Sequence, residues 1–549
     1  MRYRFLLILW LTATLSFAQK QENHNSNISR NLDTFIDIYR QVDLLYVDSL
    51  NADTIMQWGI NSMLQRIDPY TAYYPQEDDE LMAMAQGKYA GIGSIIRFHK
   101  KEDRCVISEP YRDTPSDKAG LRPGDVILSI DDKDIKGMPV STVSDMLRGE
   151  AGTTFKLKVR RPLLEDKSQE STHTITRQTI SIPHLPYYGC VREGIGYLYL
   201  TGFNEGDAQR VRAALIEMKE QGAKSLVLDL RGNPGGVLDE SVDIAGLFLP
   251  KGTKIVYTRG KTESATRSYY TRQEPVDTMM PIVAIVDGGS ASAAEILSGS
   301  LQDLDRAVVM GARTFGKGLV QSIRDLPYGG NLKITTARYY IPSGRCIQAR
   351  DYRHLNPDGS AKSLPDSLTT AFKTLHGREV RDGGGILPDI VITADTLPTI
   401  VIDLATSDAL FDFSTLYALR HPTIAPAGTF RLTDEDYNAF VDFIVGQGFS
   451  YNRRSGEMLR MLRDMAKREG YLEAAKPELD ALEEKFKGDL REDLMRFRDD
   501  IEPYICDDIV RRYYYEWGGC RQMLERDKCF ERAVEILSDP AAYRSCLKF

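Results

Sequence analysis

The sequence lacks several features that would place it in common classes of protein. It has no long basic block, and 78 acidic residues outnumber 70 lysines and arginines, which gives a formal net charge of −8. Binding along a nucleic acid backbone requires clustered positive charge, so we predict that nucleic acid is not a partner. A hydrophobic content of 42% with 27% charged residues can bury sizeable cores, which excludes a disordered or fibrous chain.

The N-terminal apolar run is too short to span a membrane, which takes about 20 residues. Arg2 and Arg4 precede an apolar stretch from Phe5 to Leu15, and small residues stand at Ser16 and Ala18, where a signal peptidase reads the chain. The pattern favours a signal peptide, cleaved near Ala18, over a membrane anchor. We therefore expect a mature protein that is soluble, close to the membrane, and periplasmic or secreted.

The seven cysteines include no C-x-x-C pair, so the sequence offers little support for a zinc site. We predict no metal and no cofactor. Four cysteines crowd near the C-terminus, where one or two disulfides are the expected alternative in an oxidising compartment. The other three stand singly in apolar or strand-like segments and are expected to be buried thiols. The first group is Cys506, Cys520, Cys529 and Cys546, and the second is Cys105, Cys190 and Cys346.

A length of 549 residues predicts several domains, since one domain has roughly 100–200 residues. Apolar residues recur at helical spacing at the start of the chain, short strands follow Gly87, strands alternate with helices after Gly194, and a helical pattern returns near Ile400. We predict a multidomain α+β protein. Its segments are a signal peptide (1–18), N-terminal helices (19–86), a small β domain (87–162), an α/β core (163–400) and a separate C-terminal helical domain (401–549).

Two segments carry detailed structural predictions. In the α/β core, the alternation predicts a mostly parallel sheet with strands at 195–200, 225–230, 282–286 and 307–310 and helices at 208–221, 237–248 and 293–304. In the C-terminal region, apolar residues at steps of three and four predict a single helical face. That face comprises Leu482, Phe486, Leu490, Leu494, Phe497 and Ile501.

The stretch VDGGSASAAEILSG, residues 286–299, is suited to nucleophilic chemistry. A buried strand ends in two glycines and turns into a helix, which places Ser290 and Ser292 where free backbone amides and the positive end of the helix dipole meet. A serine there can attack a carbonyl while nearby amides receive the developing oxyanion. The alternative is helix capping, and Ser290 fits that role better than Ser292.

A nucleophilic serine needs a base, and the sequence offers no obvious histidine. None of the seven histidines lies in a Gly-rich turn, and the G-x-S-x-G frame of a nucleophile elbow is absent. Lys317 instead stands between two glycines in RTFGKGLVQS, which lacks the frame of a P-loop. A lysine that is desolvated beside a serine can be neutral and take the hydroxyl proton.

The segment Asp113 to Ile135, DTPSDKAGLRPGDVILSIDDKDI, resembles a PDZ domain. Such a domain has an exposed sheet edge beside a short helix, where an extended peptide adds as a strand with its terminal carboxylate on backbone amides. The resemblance implies a carboxylate-binding loop at Gly91, Ile92 and Gly93, with Ile95 on the adjoining strand. The alternative is a small β barrel that only spaces its neighbours.

The surroundings of Ser292 and Lys317 resemble the C-terminal processing, or tail-specific, family of Ser-Lys peptidases. The resemblance rests on SASAAEI, TFGKGLVQ, LVLDLRGNPGG, TTARYYIPSGRCIQ and GGGILPDIVI, and it includes the PDZ segment. It implies a crotonase- or ClpP-like α/β core and cleavage of protein or peptide C-terminal tails. The implied site residues are Ser292 as nucleophile, Lys317 as general base, Gln321 as the residue that orients the lysine, and Ala293, Gly235 and Gly236 at the oxyanion hole.

Two other functions are compatible with parts of this pattern. A catalytically silent peptide-binding scaffold would have the same fold, but it would be expected to lack Ser292, Lys317 or Gln321, and all three are present. An acyl-CoA enzyme would share the Gly-rich oxyanion turns, but it would act on cytoplasmic thioesters with carboxylate residues, which disagrees with the signal peptide. The N-terminal helices are interpreted as a packing or oligomerisation element, compatible with a homodimer.

Overall fold

The structure is a computed structural model that describes residues 25–75, 88–165, 167–181, 184–355, 361–363, 366–393, 396–451, 453–486 and 488–548. The predicted signal peptide lies outside these residues. Among the helices of the described ranges, none is long and apolar enough to cross a membrane. The chain forms two compact units: one contains the described residues up to 75 together with 321–335, and the other contains residues 88–320 and 336–548.

The first unit contains the predicted N-terminal helices. A helix covers residues 25–45, and a second, Ala52–Gln65, begins at Asn51, whose side chain accepts a hydrogen bond from the Thr54 amide at 2.9 Å. The following strand, Ala72–Tyr74, pairs antiparallel with residues 331–333, which a local reading of the sequence could not reveal. The predicted helices are therefore confirmed, with a strand pairing added from a distant part of the chain.

The small β domain is an antiparallel sheet with two short helices. The helix Pro115–Lys118 lies in the segment that resembles a PDZ domain, whereas the helix Val140–Leu147 was not predicted from its Ser- and Val-containing sequence. The strands follow the order Ser94–His99, Arg104–Pro110, Val126–Ile130, Thr154–Pro162 and Ser168–Thr176; Lys133–Asp134 pairs with the third strand, and Lys88–Gly91 pairs separately with Gln178–Ser181.

The α/β core is built on a six-stranded sheet. Its first two strands are antiparallel and the others are parallel, and the central strands are buried along their whole length, as expected for a sheet covered on both faces. The predicted strands and helices are confirmed with small shifts at their ends. In order, the strands are Tyr187–Arg192, Ile195–Tyr199, Ser225–Asp229, Ile282–Val286, Val308–Gly311 and Ile390–Val391, and the helices are Asp207–Glu220, Leu238–Ala245 and Ala293–Asp303.

Further strands lie outside this sheet, and some of them carry residues of the candidate active site described below. In the second unit, Lys254–Gly260 pairs with Arg267–Tyr270 and with residues 337–340 of the long strand Asn331–Tyr340. Leu319–Asp325 precedes this long strand in the chain. Shorter strands follow at Arg350–Leu355, Ala361–Ser363, Ala371–Lys373 and Glu379–Arg381.

The C-terminal helices divide between two cores, although the sequence suggested one separate helical unit. The last two helices, Lys528–Ser538 and Pro540–Leu547, pack on the face of the core sheet that carries Tyr197, Val227 and Val283. The remaining helices form a second core, except that Arg454–Arg468 and Leu472–Phe486 pair with each other and contribute no residue to it. In chain order, the remaining helices are Thr399–Ala405, Asp408–Arg420, Asp434–Gly446, Arg454–Arg468, Leu472–Phe486, Leu490–Arg496 and Arg498–Met523.

The single apolar face predicted from Leu482 to Ile501 is wrong. The chain leaves the helix after Phe486, begins a new one capped by Asp489, and breaks again at Phe497. Leu482 is 40% exposed, whereas Ile501 is buried. The regular spacing continued across three helices because apolar residues recur at similar intervals in each, and spacing alone does not reveal the breaks.

The predicted disulfides are also wrong, because all seven cysteines are free. Cys506 lies in the core of the helical domain, whereas Cys520, Cys529 and Cys546 contact the core on the sheet. Burial raises the pKa of Cys506 to about 11, so its thiol stays protonated near neutral pH. Cys190, which was expected to be buried, is exposed. No cluster of metal-binding side chains occurs among the described residues.

Candidate active site

The turn before the helix Ala293–Asp303 is fixed by Asp287 and Ser290. Asp287 Oδ1 accepts hydrogen bonds from the amides of Gly232 and Gly289, both at 2.9 Å. Ser290 Oγ donates to Leu230 O at 2.7 Å, which ties the turn to the neighbouring strand. The residue that caps the helix is Ser292, so the expectation that Ser290 caps it is wrong. Ser290 instead holds the two strand ends together.

Ser292 occupies a strained and buried position. Its φ of 57° and ψ of −115° lie outside the regions that L-residues normally adopt, and its side chain is only 8% exposed. Such strain costs about 1–3 kcal/mol and is typical of functional sites. The hydroxyl makes a hydrogen bond with Tyr339, at 2.9 Å between the two oxygens. The predicted nucleophile is thus held in one defined environment.

Glu295 joins Ser292 to the turn that carries Lys317. Its Oε2 accepts hydrogen bonds from the Ser292 amide at 2.9 Å and the Lys317 amide at 2.8 Å, so the two nitrogens lie no farther apart than the sum of these distances. Its Oε1 accepts from Thr314 Oγ1 at 2.6 Å and the Gly316 amide at 2.7 Å. Burial raises the pKa of Glu295, and these four hydrogen bonds oppose that shift.

Sequence reasoning missed Glu295, although its spacing carried a signal. Ser292 and Glu295 match the S-x-x-E pattern of a capping box, in which the acid at the third helical position reaches back to the amide of the cap residue. That reciprocal bond is present. The same carboxylate also binds a loop that lies 19 to 22 residues farther along the chain, which the local pattern could not show.

The two glycines beside Lys317 allow close packing. A Cβ on Gly316 would lie 2.1 Å from the Cβ of Ala349, and Gly316 has a φ of +83°. A Cβ on Gly318 would lie 2.5 Å from the amide nitrogen of Gln348, whose Oε1 accepts a hydrogen bond from the Gly318 amide at 2.8 Å. Lys317 itself is half-buried. The FGKG pattern therefore reflects a turn packed against residues 348–349.

Gln321 lies on the strand Leu319–Asp325, in the first unit. Its Nε2 donates to Thr335 Oγ1 at 3.3 Å, and the Thr335 amide donates to Thr71 Oγ1 at 3.3 Å. The structure therefore links Ser292 with Lys317 through Glu295, and it gives Gln321 a hydrogen bond to Thr335.

Gly235 packs against the start of the serine helix, whereas Gly236 packs against the backbone of Phe203. Gly235 has a φ of +99°, and a Cβ there would lie 2.8 Å from the Ser292 Cβ and 2.9 Å from the Ala293 nitrogen. Its amide donates to Asn233 Oδ1 at 2.9 Å and is therefore already engaged. Within the described part of the chain, the amides of Gly236 and Ala293 have no hydrogen-bond partner. These two amides are the better candidates for binding an oxyanion.

The predicted peptide-binding loop lies beside a free sheet edge. The strand Ser94–His99 pairs on one side only among the described strands, and Val143 of the helix Val140–Leu147 packs into the core beneath it. Gly93 has a φ of +73°, and its carbonyl accepts from Ser116 Oγ at 2.7 Å. Ile92 is buried and Ile95 is 44% exposed. The helix beside this edge is therefore Val140–Leu147. The helix Pro115–Lys118, which lies in the segment that resembles a PDZ domain, is a different one.

The β domain also contacts the C-terminal helices. Arg97 pairs with Asp408 at 2.9 Å, and His99 pairs with Asp412 at 3.0 Å. Val106 and Val126 of the sheet form a small apolar cluster with Phe411, and Glu109 lies 3.4 Å from Arg511. Tyr515, whose φ of 56° interrupts the helix Arg498–Met523, donates to Asp117 at 2.8 Å. We call this set of contacts the interdomain contact.

Family models match three parts of the chain. Residues 194–360 match peptidase family S41, residues 106–161 match the PDZ domain, and residues 400–537 match the C-terminal helical domain of a probable PDZ-protease.

Curated proteins match over a longer region. A carboxy-terminal-processing protease of Bartonella bacilliformis is 36% identical over 331 residues, covering 59% of this chain and 74% of that protein. A probable CtpA-like serine protease of Staphylococcus haemolyticus is 32% identical over 363 residues, covering 65% of this chain and 70% of that protein. Among solved structures, the photosystem II D1 C-terminal processing protease is 27% identical, with a TM-score of 0.34, and the match covers 66% of this chain and 93% of that one.

Proposed function

The chain belongs to the serine peptidases of family S41, and from that premise we propose that it cleaves protein tails with Ser292 as nucleophile and Lys317 as general base. The observation that carries the proposal is the position of Glu295. Its Oε2 binds the amides of both residues and so fixes the serine and the lysine turn against each other. A dyad needs that spatial constraint, because proton transfer requires the two side chains within hydrogen-bond reach.

In the proposed reaction, the neutral Lys317 amine takes the proton of Ser292 Oγ as this oxygen attacks the scissile carbonyl. The new bond moves the carbonyl electron pair onto oxygen, and the amides of Gly236 and Ala293 stabilise that oxyanion. The Lys317 ammonium then gives its proton to the leaving amine. Water attacks the acyl-enzyme in the same way, and Lys317 again accepts and returns the proton. In this proposal Gln321 orients the lysine and Gly235 provides the close packing beside Ser292.

We also propose that the β domain captures the C-terminal tail of the substrate. The exposed edge of Ser94–His99 can accept an added strand, and the loop Gly91–Gly93 precedes that edge, where backbone amides can bind a carboxylate. Ile95 lies on the same strand, with its side chain exposed. Export by the N-terminal signal is part of the proposal, and N-terminal sequencing of the mature protein tests whether cleavage falls near Ala18.

Substitution of the two turn serines tests the nucleophile. We expect Ser292→Ala to lower kcat by at least about 10³-fold with the fold intact. Ser290→Ala is the matched control, because it removes a hydroxyl two residues away that binds the Leu230 carbonyl and the Asp287 amide and does not contact Lys317 or Tyr339. Cleavage of a peptide by the purified Ser292→Ala protein at near-normal rates would overturn the assignment.

Substitution of Lys317 tests the base. We expect Lys317→Arg to be as inactive as Lys317→Ala, because a guanidinium keeps its charge and cannot accept the serine proton. Activity above a few per cent in the Arg variant would show that Lys317 is only a hydrogen-bond donor or structural residue.

A further inference from the structure

Tyr339 contacts the predicted nucleophile, although the dyad does not require it. It lies on the strand Asn331–Tyr340, where it pairs with Thr258 of the neighbouring strand, and its side chain is 5% exposed. Its hydroxyl oxygen lies 2.9 Å from Ser292 Oγ. A buried phenol at hydrogen-bond distance from a reacting oxygen affects where that oxygen points and which proton it carries.

A second contact ties Tyr339 to the lysine turn. The Tyr339 amide donates to the carbonyl of Gly318, the residue after Lys317, at 3.0 Å. The same residue therefore contacts the nucleophile through its side chain and the turn of the base through its backbone. This is a separate connection from the one that Glu295 makes through its carboxylate.

The direction of the bond between the two hydroxyls follows from the surroundings. Burial raises the pKa of Tyr339 to about 12; the hydrogen bond with Ser292 lowers it and the charge of Glu295 raises it. The phenol therefore keeps its proton at any working pH. Among the described residues, its hydroxyl has no other partner, so that proton would remain unsatisfied in the interior unless it points at Ser292 Oγ.

We propose that Tyr339 is a catalytic residue that donates its phenol hydrogen bond to Ser292 Oγ, holding the nucleophile in place and leaving the serine proton available to Lys317. This inference rests on the proposed function. As Ser292 Oγ bonds to the scissile carbon, its own proton moves to the Lys317 amine and the carbonyl electron pair moves to oxygen. The Tyr339 proton stays on the phenol and offsets negative charge on Oγ while the bond forms.

The variant Tyr339→Phe tests the proposal because it removes only the hydroxyl and keeps the buried ring. We expect kcat to fall about 10- to 100-fold with KM changed less than about twofold, as for loss of one hydrogen bond that matters most in the transition state. The rate at which a fluorophosphonate probe labels Ser292, followed by mass spectrometry, should fall in parallel. A variant with unchanged kcat and labelling rate, or with a raised kcat, overturns the proposal.

Tyr340→Phe is the matched control. Tyr340 is the next residue on the same strand, is half-buried, and stacks on Tyr257 at 5.0 Å between ring centroids instead of contacting Ser292. We expect it to leave kcat unchanged, and thermal unfolding of both variants should show that each is folded. If Ser292→Ala is inactive while Tyr339→Phe is fully active, only this inference fails; if Ser292→Ala is active, the proposed function itself fails.

Discussion

At the scale of single residues, the site depends on a carboxylate that does not take part in the proposed proton transfer. Glu295 is fully buried, and each of its oxygens accepts two hydrogen bonds from the groups that hold Ser292 and Lys317. Three of the four donors are backbone amides, which cannot accept a hydrogen bond in return. The site therefore requires an acceptor-only group at this position.

The variant Glu295→Gln should disturb the site without changing its size. An amide NH2 would face a backbone amide donor in place of one oxygen, so at least one hydrogen bond would be lost at a cost of about 1–3 kcal/mol. We expect kcat to fall by about 10²-fold and the unfolding temperature to fall as well. Glu240→Gln is the control, since Glu240 accepts from the amides of Gly206 and Ala208 without contacting Ser292 or Lys317. Equal activity of both variants would contradict this role for Glu295.

At the scale of secondary-structure elements, the free edge of Ser94–His99 is where the substrate tail is proposed to bind as an added strand. Amidating the C-terminus of a substrate peptide removes the charge that the Gly91–Gly93 loop would bind. We expect binding to weaken by ~1.5–3 kcal/mol, or about ten- to a hundredfold, as for loss of a charge-assisted hydrogen bond. Titration of free-acid and amidated peptides against Ser292→Ala protein measures this difference without cleavage. Equal affinities would show that the domain does not recognise C-termini.

A second element, the helix Lys528–Ser538, packs against one face of the core sheet. Phe530 is fully buried, and its ring lies edge-on to Tyr197 at 5.5 Å between centroids. We expect Phe530→Ala to lower the free energy of unfolding by about 3–5 kcal/mol, because it opens a cavity against the sheet. Leu482→Ala, at a site 40% exposed, should cost much less. Denaturant unfolding compares the two, and similar losses would mean that the last helices are not part of the core.

At the scale of the whole molecule, the interdomain contact contains groups whose protonation opposes separation of the domains. Burial raises the pKa of Glu109 to about 7, with Glu516 and Asp507 raising it further and Arg511 lowering it. Burial lowers the pKa of His99, but Asp412, Asp408 and Glu102 outweigh that effect and leave it raised. Both groups thus bind a proton more tightly when the domains are in contact.

The contact should therefore weaken as pH rises. For Glu109 the loss accumulates between the ordinary carboxyl pKa of about 4.5 and about 7, and for His99 it begins at about 6.5 and continues above that value. We expect amide hydrogen exchange in the strands Ser94–His99 and Arg104–Pro110, corrected for intrinsic rates, to be slower at pH 5.5 than at pH 8. Glu109→Gln should retain more protection at pH 8. Equal corrected protection at both pH values would refute the expectation.

Sequence patterns predict the fold class, which the family matches confirm, and they suggest Ser292 and Lys317 as the site of the proposed chemistry. Local patterns sufficed to predict the strand Ile282–Val286 and the turn at Ser292, because a buried strand and a turn each depend mainly on neighbouring residues. Which distant groups meet at the site depends on the tertiary structure. Glu295 reaches the Lys317 turn, Tyr339 reaches Ser292, and the last helices cover the core sheet, because such contacts depend on how separate elements pack and leave no trace in local spacing.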